Sequence, residues 1–157
     1  MAQVEYRLTL DSPEDTCAFA GRLGAQLAPG DCLLLEGGIG AGKTHFARCL
    51  LLSLMDTPED VPSPTFTLVQ TYDTRAGEAW HADLYRLSGP DEIVELGLDQ
   101  AFDTAICLVE WPDRLGEDAP PDALRLAFEV AGDTARLVTI SSGAPRWRPI
   151  LEEAGLA

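Results

Sequence analysis

Gly37-Gly38-Ile39-Gly40-Ala41-Gly42-Lys43-Thr44 satisfies the pattern G-x-x-x-x-G-K-[ST] at every position. Lys43 is also the single lysine of the 157-residue chain, whose remaining basic side chains are arginines. The chemistry such a loop performs is phosphate binding. Glycines let successive backbone N–H groups turn inward around phosphate oxygens, the lysine reaches the outer phosphates, and the threonine hydroxyl takes a Mg²⁺ ion. The helix that follows adds its positive N-terminal end. Cofactor contacts are therefore expected from Gly38, Ile39, Gly40, Ala41, Gly42, Lys43 and Thr44.

Such a loop works only between a strand and a helix. Cys32-Leu33-Leu34-Leu35-Glu36 follows Pro29-Gly30-Asp31 and reads as a buried parallel strand, while residues 45–55 read as a buried helix. Nucleotide hydrolysis also needs a carboxylate for the metal and a group that orients water. Glu110 ends the apolar run Ala105-Ile106-Cys107-Leu108-Val109 and would project at the carboxyl edge of the sheet, where open α/β folds bind ligands. Asp83, in His81-Ala82-Asp83-Leu84-Tyr85-Arg86, is the second carboxylate, and alternation puts His81, Asp83 and Tyr85 on one strand face. His81 reads as a structural residue or a support for a site residue rather than a base. Thr65, in Ser63-Pro64-Thr65-Phe66-Thr67, could bring a hydroxyl to the γ-phosphate from a switch-like loop. Trp111-Pro112 offers a wall beside the nucleotide, a partner contact or a cap on the core.

The elements that must position these groups follow from local pattern. A strand over residues 6–10 precedes a helix with Ser12 as N-cap and Pro13 in its first turn, predicted to run to about residue 28. Residues 65–72 and 78–85 form a predicted hairpin around a turn at 73–77. Short helices are predicted over 90–96 and 98–102, a second hairpin over 123–130 and 136–141 around Gly132-Asp133, and a terminal helix over 148–156. The reading is an α/β, P-loop NTPase-like three-layer fold, with a mostly parallel core sheet and antiparallel hairpin additions, as a single domain over residues 1–157.

Composition narrows the partners. Twenty-six acidic against eleven basic residues give a net charge of −15, spread along the chain. Tight direct binding to nucleic acid or an anionic membrane is disfavoured, because phosphate contacts need clustered Lys and Arg. Arg146-Trp147-Arg148 is the one basic cluster and reads as a short surface segment pinning the C-terminus, with a phosphate contact or a stack on a base as the alternative. The four cysteines, Cys17, Cys32, Cys49 and Cys107, form no C-x-x-C pair and read as small buried hydrophobes in a reducing cytoplasm, neither zinc ligands nor disulfides. The first five residues lack the basic start of a secretory signal, and no apolar run is long enough to span a membrane.

Taken together, Gly37 to Thr44, Ser63-Pro64-Thr65-Phe66-Thr67-Leu68-Val69, His81-Ala82-Asp83-Leu84-Tyr85-Arg86-Leu87 and Glu110-Trp111-Pro112 resemble, in order and spacing, the bacterial TsaE (YjeE) ATPases. The resemblance spans nearly the whole chain, and the motifs after the P-loop are the discriminating ones. It implies an ATPase that binds the TsaD–TsaB complex and supports formation of N6-threonylcarbamoyladenosine in tRNAs that read codons starting with A. It implies ATP and Mg²⁺ as cofactors, with Lys43 on phosphates, Thr44 and Glu110 on the metal, Asp83 on metal or water, and Thr65 sensing the γ-phosphate. It further implies Ser12 and Thr16 beside the adenine, with Arg136 from the C-terminal hairpin. His45 stands where a second threonine is common, and Ala82 where an aromatic is frequent. A small-molecule kinase on the same fold and a nucleotide-gated interaction module are the alternatives. A GTPase is disfavoured because its guanine-reading N-K-x-D needs a second lysine.

Overall fold

The structure is a computed structural model that describes residues 4–64, 68–89 and 91–156. Seven strands form one sheet: β1 (Val4–Leu10), β2 (Cys32–Glu36), β3 (Val69–Thr74), β4 (Gly77–Asp83), β5 (Ile106–Glu110), β6 (Leu124–Val130) and β7 (Arg136–Ser142). Their order is β1-β7-β6-β2-β5-β4-β3. The middle pairs, β6 with β2, β2 with β5 and β5 with β4, are parallel. The flanking pairs, β1 with β7, β7 with β6 and β4 with β3, are antiparallel.

Alternation along the central strands divides the core into two layers. Leu33, Leu35, Ile106 and Leu108 pack with Phe19, Phe46, Leu50 and Trp147 on one face. Cys32, Leu34, Cys107 and Val109 pack with Ile93, Leu98 and Ala101 on the other. The first layer is covered by α1 (Pro13–Gly24), α2 (Lys43–Ser53) and α5 (Trp147–Glu153), the second by α3 (Asp91–Leu96) and α4 (Leu98–Thr104). Strands buried on both faces read as continuous apolar runs, which is why β2 and β5 are Leu-, Ile- and Val-rich without polar interruptions. The three-layer α/β expectation is therefore met.

Helix α1 begins as its sequence requires. Ser12 Oγ accepts from the Asp15 backbone N–H at 3.1 Å, Pro13 occupies the first turn, and Glu14 and Asp15 face the positive helix end. It ends at Gly24 rather than near residue 28. The Ala25 N–H turns back onto the helix, and the Asp31 carboxylate accepts from Ala28 N–H at 2.8 Å, closing a turn that Gly30 completes at φ +97°. Arg146 then holds Asp31 at 2.9 Å, a long-range pairing invisible to a local reading.

The cysteines depart from expectation. Cys32 and Cys107 are buried free thiols, as expected, and burial raises both, Cys107 to about 12. Cys17 on α1 and Cys49 on α2, however, form a disulfide with Cα atoms 5.0 Å apart. Their separation of 32 residues carried no local signal; packing of the two helices through Phe19 and Phe46 brings them face to face.

Candidate active site

Three parallel strands deliver their carboxyl ends to one place. In register, Leu35 lies beside Glu110, and Glu110 beside Asp83. The glycine loop leaves β2 immediately after Glu36 and enters α2 at Lys43. Two of its glycines are compelled by geometry. Gly37 sits at φ +140°, and a Cβ there would lie 2.6 Å from the Phe128 carbonyl oxygen. Gly42 precedes α2 at φ +106°. Among the described residues no side chain caps the first-turn N–H groups of α2.

Glu110 is the hub. It is 2% exposed, and Thr44 Oγ1 donates to its two carboxylate oxygens at 2.8 and 3.0 Å. His81, fully buried, lies with Nε2 at 2.7 Å from Glu110 Oε2. An ionised carboxylate only accepts, so Nε2 carries the proton in this pair. His81 Nδ1 is buried without a partner among the described residues. His81 is thus buried directly against Glu110. Asp83 is also buried, and its Oδ1 accepts from the Tyr85 N–H at 3.0 Å, turning the chain as β4 ends. Tyr85 therefore lies beyond the strand, and the alternation predicted through it stops at Asp83.

Lys43 is only 5% exposed, held by the Gly37 carbonyl at 2.5 Å and by the face of Trp111, whose centroid lies 3.5 Å from Nζ. Burial lowers its pKa from 10.5, opposed by Glu110, Asp83 and Asp113. Trp111 adopts φ +58°, a left-handed conformation rare for a bulky residue. That turn, directly after β5, brings the indole over the lysine while the ring also packs against the Leu34–Val109 core layer, and Tyr85 packs on it with centroids 4.9 Å apart.

These groups line an open cleft of about 600 Å³, within the range of small-ligand sites. Thr16 lines it from α1 and Arg136 from β7, while Ser12 is taken up by capping α1 and is not among the lining residues. Arg136 leans over the loop, with Nη2 3.4 Å from the Gly40 carbonyl oxygen. Ile39 stands 82% exposed at the rim, and Ala41 packs into the core. Thr65 lies outside the described residues. Sequence reasoning missed Pro13, Arg86, Asp133 and Thr134 as lining residues. Asp133 and Thr134 sit at the tip of the β6–β7 hairpin, where the only signal was the Gly132-Asp133 turn itself.

Parallel strand, glycine loop and buried helix, with carboxylates at the sheet's carboxyl edge, place the chain in the P-loop-like α/β class. The family model "Threonylcarbamoyl adenosine biosynthesis protein TsaE" matches residues 10–138. The tRNA threonylcarbamoyladenosine biosynthesis protein TsaE of Bacillus subtilis (strain 168) is 38% identical over 154 residues, covering 98% of this chain and 94% of that protein. The protein of the same name from Rickettsia felis is 38% identical over 133 residues, covering 85% of this chain and 78% of its own length. The crystal structure of Bacillus subtilis YdiB superposes with a TM-score of 0.80 at 32% identity, covering 98% of this chain and 95% of YdiB. The chain belongs to the TsaE family.

Proposed function

We propose that this protein is a Mg²⁺-dependent ATPase acting in threonylcarbamoyladenosine biosynthesis on tRNA, the process named in its family and relatives. The observation that carries the reading is the Thr44–Glu110 pair: a hydroxyl and a buried carboxylate 2.8 Å apart at the start of the loop helix, beside Lys43. This all-oxygen donor set suits a hard divalent cation. When bound there, Mg²⁺ would supply positive charge to offset that of the phosphates. Thr44 and Glu110 would hold it, and Asp83 would orient a metal-bound or attacking water. Lys43 would exchange its Gly37 carbonyl contact for phosphate oxygens, and the loop N–H groups would cradle the rest. Thr16 and Arg136 frame the remaining cleft, where the nucleoside would lie.

The same reading places the protein in the cytoplasm, where tRNA is modified, acting with the TsaD and TsaB proteins. Its charge of −15 supports a division of labour in which another subunit supplies the tRNA surface. Among the described residues no helix is long and apolar enough to cross a membrane. Turnover in isolation is expected to be slow, with water positioning or charge neutralisation completed by the partner.

The test is ATP binding by calorimetry and phosphate release with and without the TsaD–TsaB complex, for the wild type and Lys43→Ala. Micromolar-range ATP binding that collapses in a folded Lys43→Ala variant, with hydrolysis raised by the partners, is expected. Unchanged ATP affinity in that variant would remove the P-loop from the mechanism.

A further inference from the structure

The chain has two histidines and four cysteines, and one histidine and two cysteines converge on a single spot beside the cleft. Cys17 in the second turn of α1 is bonded to Cys49 in the second turn of α2. His45, one turn earlier on α2, places Nε2 at 3.8 Å from Cys17 Sγ, 3.7 Å from Cys49 Sγ and 3.1 Å from the Pro13 carbonyl oxygen. The last contact makes Nε2 a donor to Pro13, and the two sulfurs are spent on one another. The cluster as it stands is a disulfide with a hydrogen-bonded neighbour, not a cation site.

Its position gives the bond a consequence. Pro13 and Thr16, contributed by α1, and Gly42, Lys43, Thr44 and His45, at the start of α2, line the same cleft. The disulfide therefore ties together two of its walls. Cys17 is partly exposed, whereas Cys49 is only 9% exposed, so a reductant reaches the Cys17 side first. Disulfides in a cytosolic protein of this kind are usually transient and redox-sensing rather than structural staples.

We propose that Cys17 and Cys49 are a reversible redox switch on the wall of the nucleotide cleft, the disulfide state binding nucleotide more tightly than the dithiol state. The proposal rests on the cleft being a nucleotide site. A dithiol reductant attacks one sulfur as thiolate, forming a mixed disulfide and releasing the other cysteine. Its second thiol then displaces the first. The S–S bond is broken, two electrons and two protons pass to the protein, and the reductant leaves as its own disulfide. A small-molecule disulfide reverses the exchange. The released sulfurs move from bonding distance to non-bonded contact, which lets the α1 wall shift against the loop helix. The Phe19–Phe46 contact, with centroids 6.0 Å apart, keeps the helices packed in both states. The expected effect is therefore about fivefold in Kd, at the low end for coupled sites.

The experiment compares protein equilibrated with oxidised glutathione, protein equilibrated with dithiothreitol, and Cys17→Ser, with Cys49→Ser as the second variant. Thiol titration under denaturing, non-reducing conditions should find two of the four cysteines reactive in the first sample and all four in the second. ATP calorimetry should give an oxidised form about fivefold tighter than the reduced form. Cys17→Ser should match the reduced form and ignore the redox treatment. Coupling is reciprocal, so saturating ATP should raise the dithiothreitol needed for half-reduction by the same factor. Equal affinities in two samples of verified thiol count overturn the switch alone. Nucleotide binding in neither state overturns the cleft's assignment and the switch with it. Four reactive thiols after oxidation, or zinc bound by the reduced protein and lost in Cys17→Ser, also overturn it.

Discussion

Replacing Glu110 by glutamine separates its electrostatic role from its structural one. Glu110 is 2% exposed and accepts from Thr44 at 2.8 Å and from His81 at 2.7 Å. Glutamine has the same shape, and its amide oxygen can keep the His81 bond while its NH₂ donates to the Thr44 hydroxyl, which also accepts. Two hydrogen bonds to a charged acceptor become two neutral ones, a loss of about 1 kcal/mol each. Against this, the variant no longer buries an ionised carboxylate, which itself costs free energy. Net stability should therefore change by less than about 2 kcal/mol, or roughly 2–4 °C per kcal/mol in a chain of this size. The functional loss should be far larger, because the amide keeps the shape but removes the negative charge that would hold the metal or its water. Loss of such electrostatic stabilisation costs about 10²–10³ in rate. Differential scanning calorimetry, ATP calorimetry and single-turnover phosphate release across a Mg²⁺ titration read the three quantities apart. The expectation is a folded protein that keeps nucleotide but hydrolyses at least about 100-fold more slowly, without rescue by excess Mg²⁺. Wild-type turnover at saturating Mg²⁺ would remove Glu110 from the metal site and leave Asp83 as the main carboxylate. A collapse of the fold would instead make the Thr44–Glu110–His81 cluster chiefly structural.

Three further outcomes follow from the same geometry. Gly37→Ala adds a Cβ 2.6 Å from the Phe128 carbonyl at φ +140°, and should destabilise the fold by about 2 kcal/mol or more; an unchanged thermal midpoint would contradict that backbone path. Lys43 has its folded pKa lowered from 10.5 by burial, so between that lowered value and 10.5 the unfolded chain binds the extra proton and stability rises with pH. A Lys43→Met variant lacks this proton exchange, so its stability relative to the wild type should be greatest at neutral pH and shrink on approaching 10.5, as followed by urea denaturation; a constant difference would show that the ammonium is not desolvated. Filter binding of labelled tRNA at ~150 mM salt should show weak retention by this protein alone, since at −15 it offers no array of cations to release counterions, and tight binding would refute the division of labour with its partners.

Local structure that depends on contiguous residues was legible in the sequence. The order Gly37 to Thr44 carries its own backbone requirement, and its strand and helix follow from the apolar runs on either side, because both periodicities are local. The placement of Glu110 at the sheet's carboxyl edge followed the same way, from an apolar run that ends in one acid. The α/β layering was readable from the alternation of such segments. What the tertiary structure alone decided depends on distance in space between residues far apart in the chain. The parallel register of β4 with β5 puts Asp83 beside Glu110 and His81 within 2.7 Å of its carboxylate. The left-handed turn at Trp111 aims its ring at Lys43, which no propensity favours for a bulky residue. The Asp31 turn beyond the end of α1 is held by Arg146 from far along the chain. Cys17 and Cys49 meet only because α1 and α2 pack on one face of the sheet. A local pattern reports what a segment can bury; which buried groups then face each other is set by strand order and helix packing, and those are properties of the whole chain.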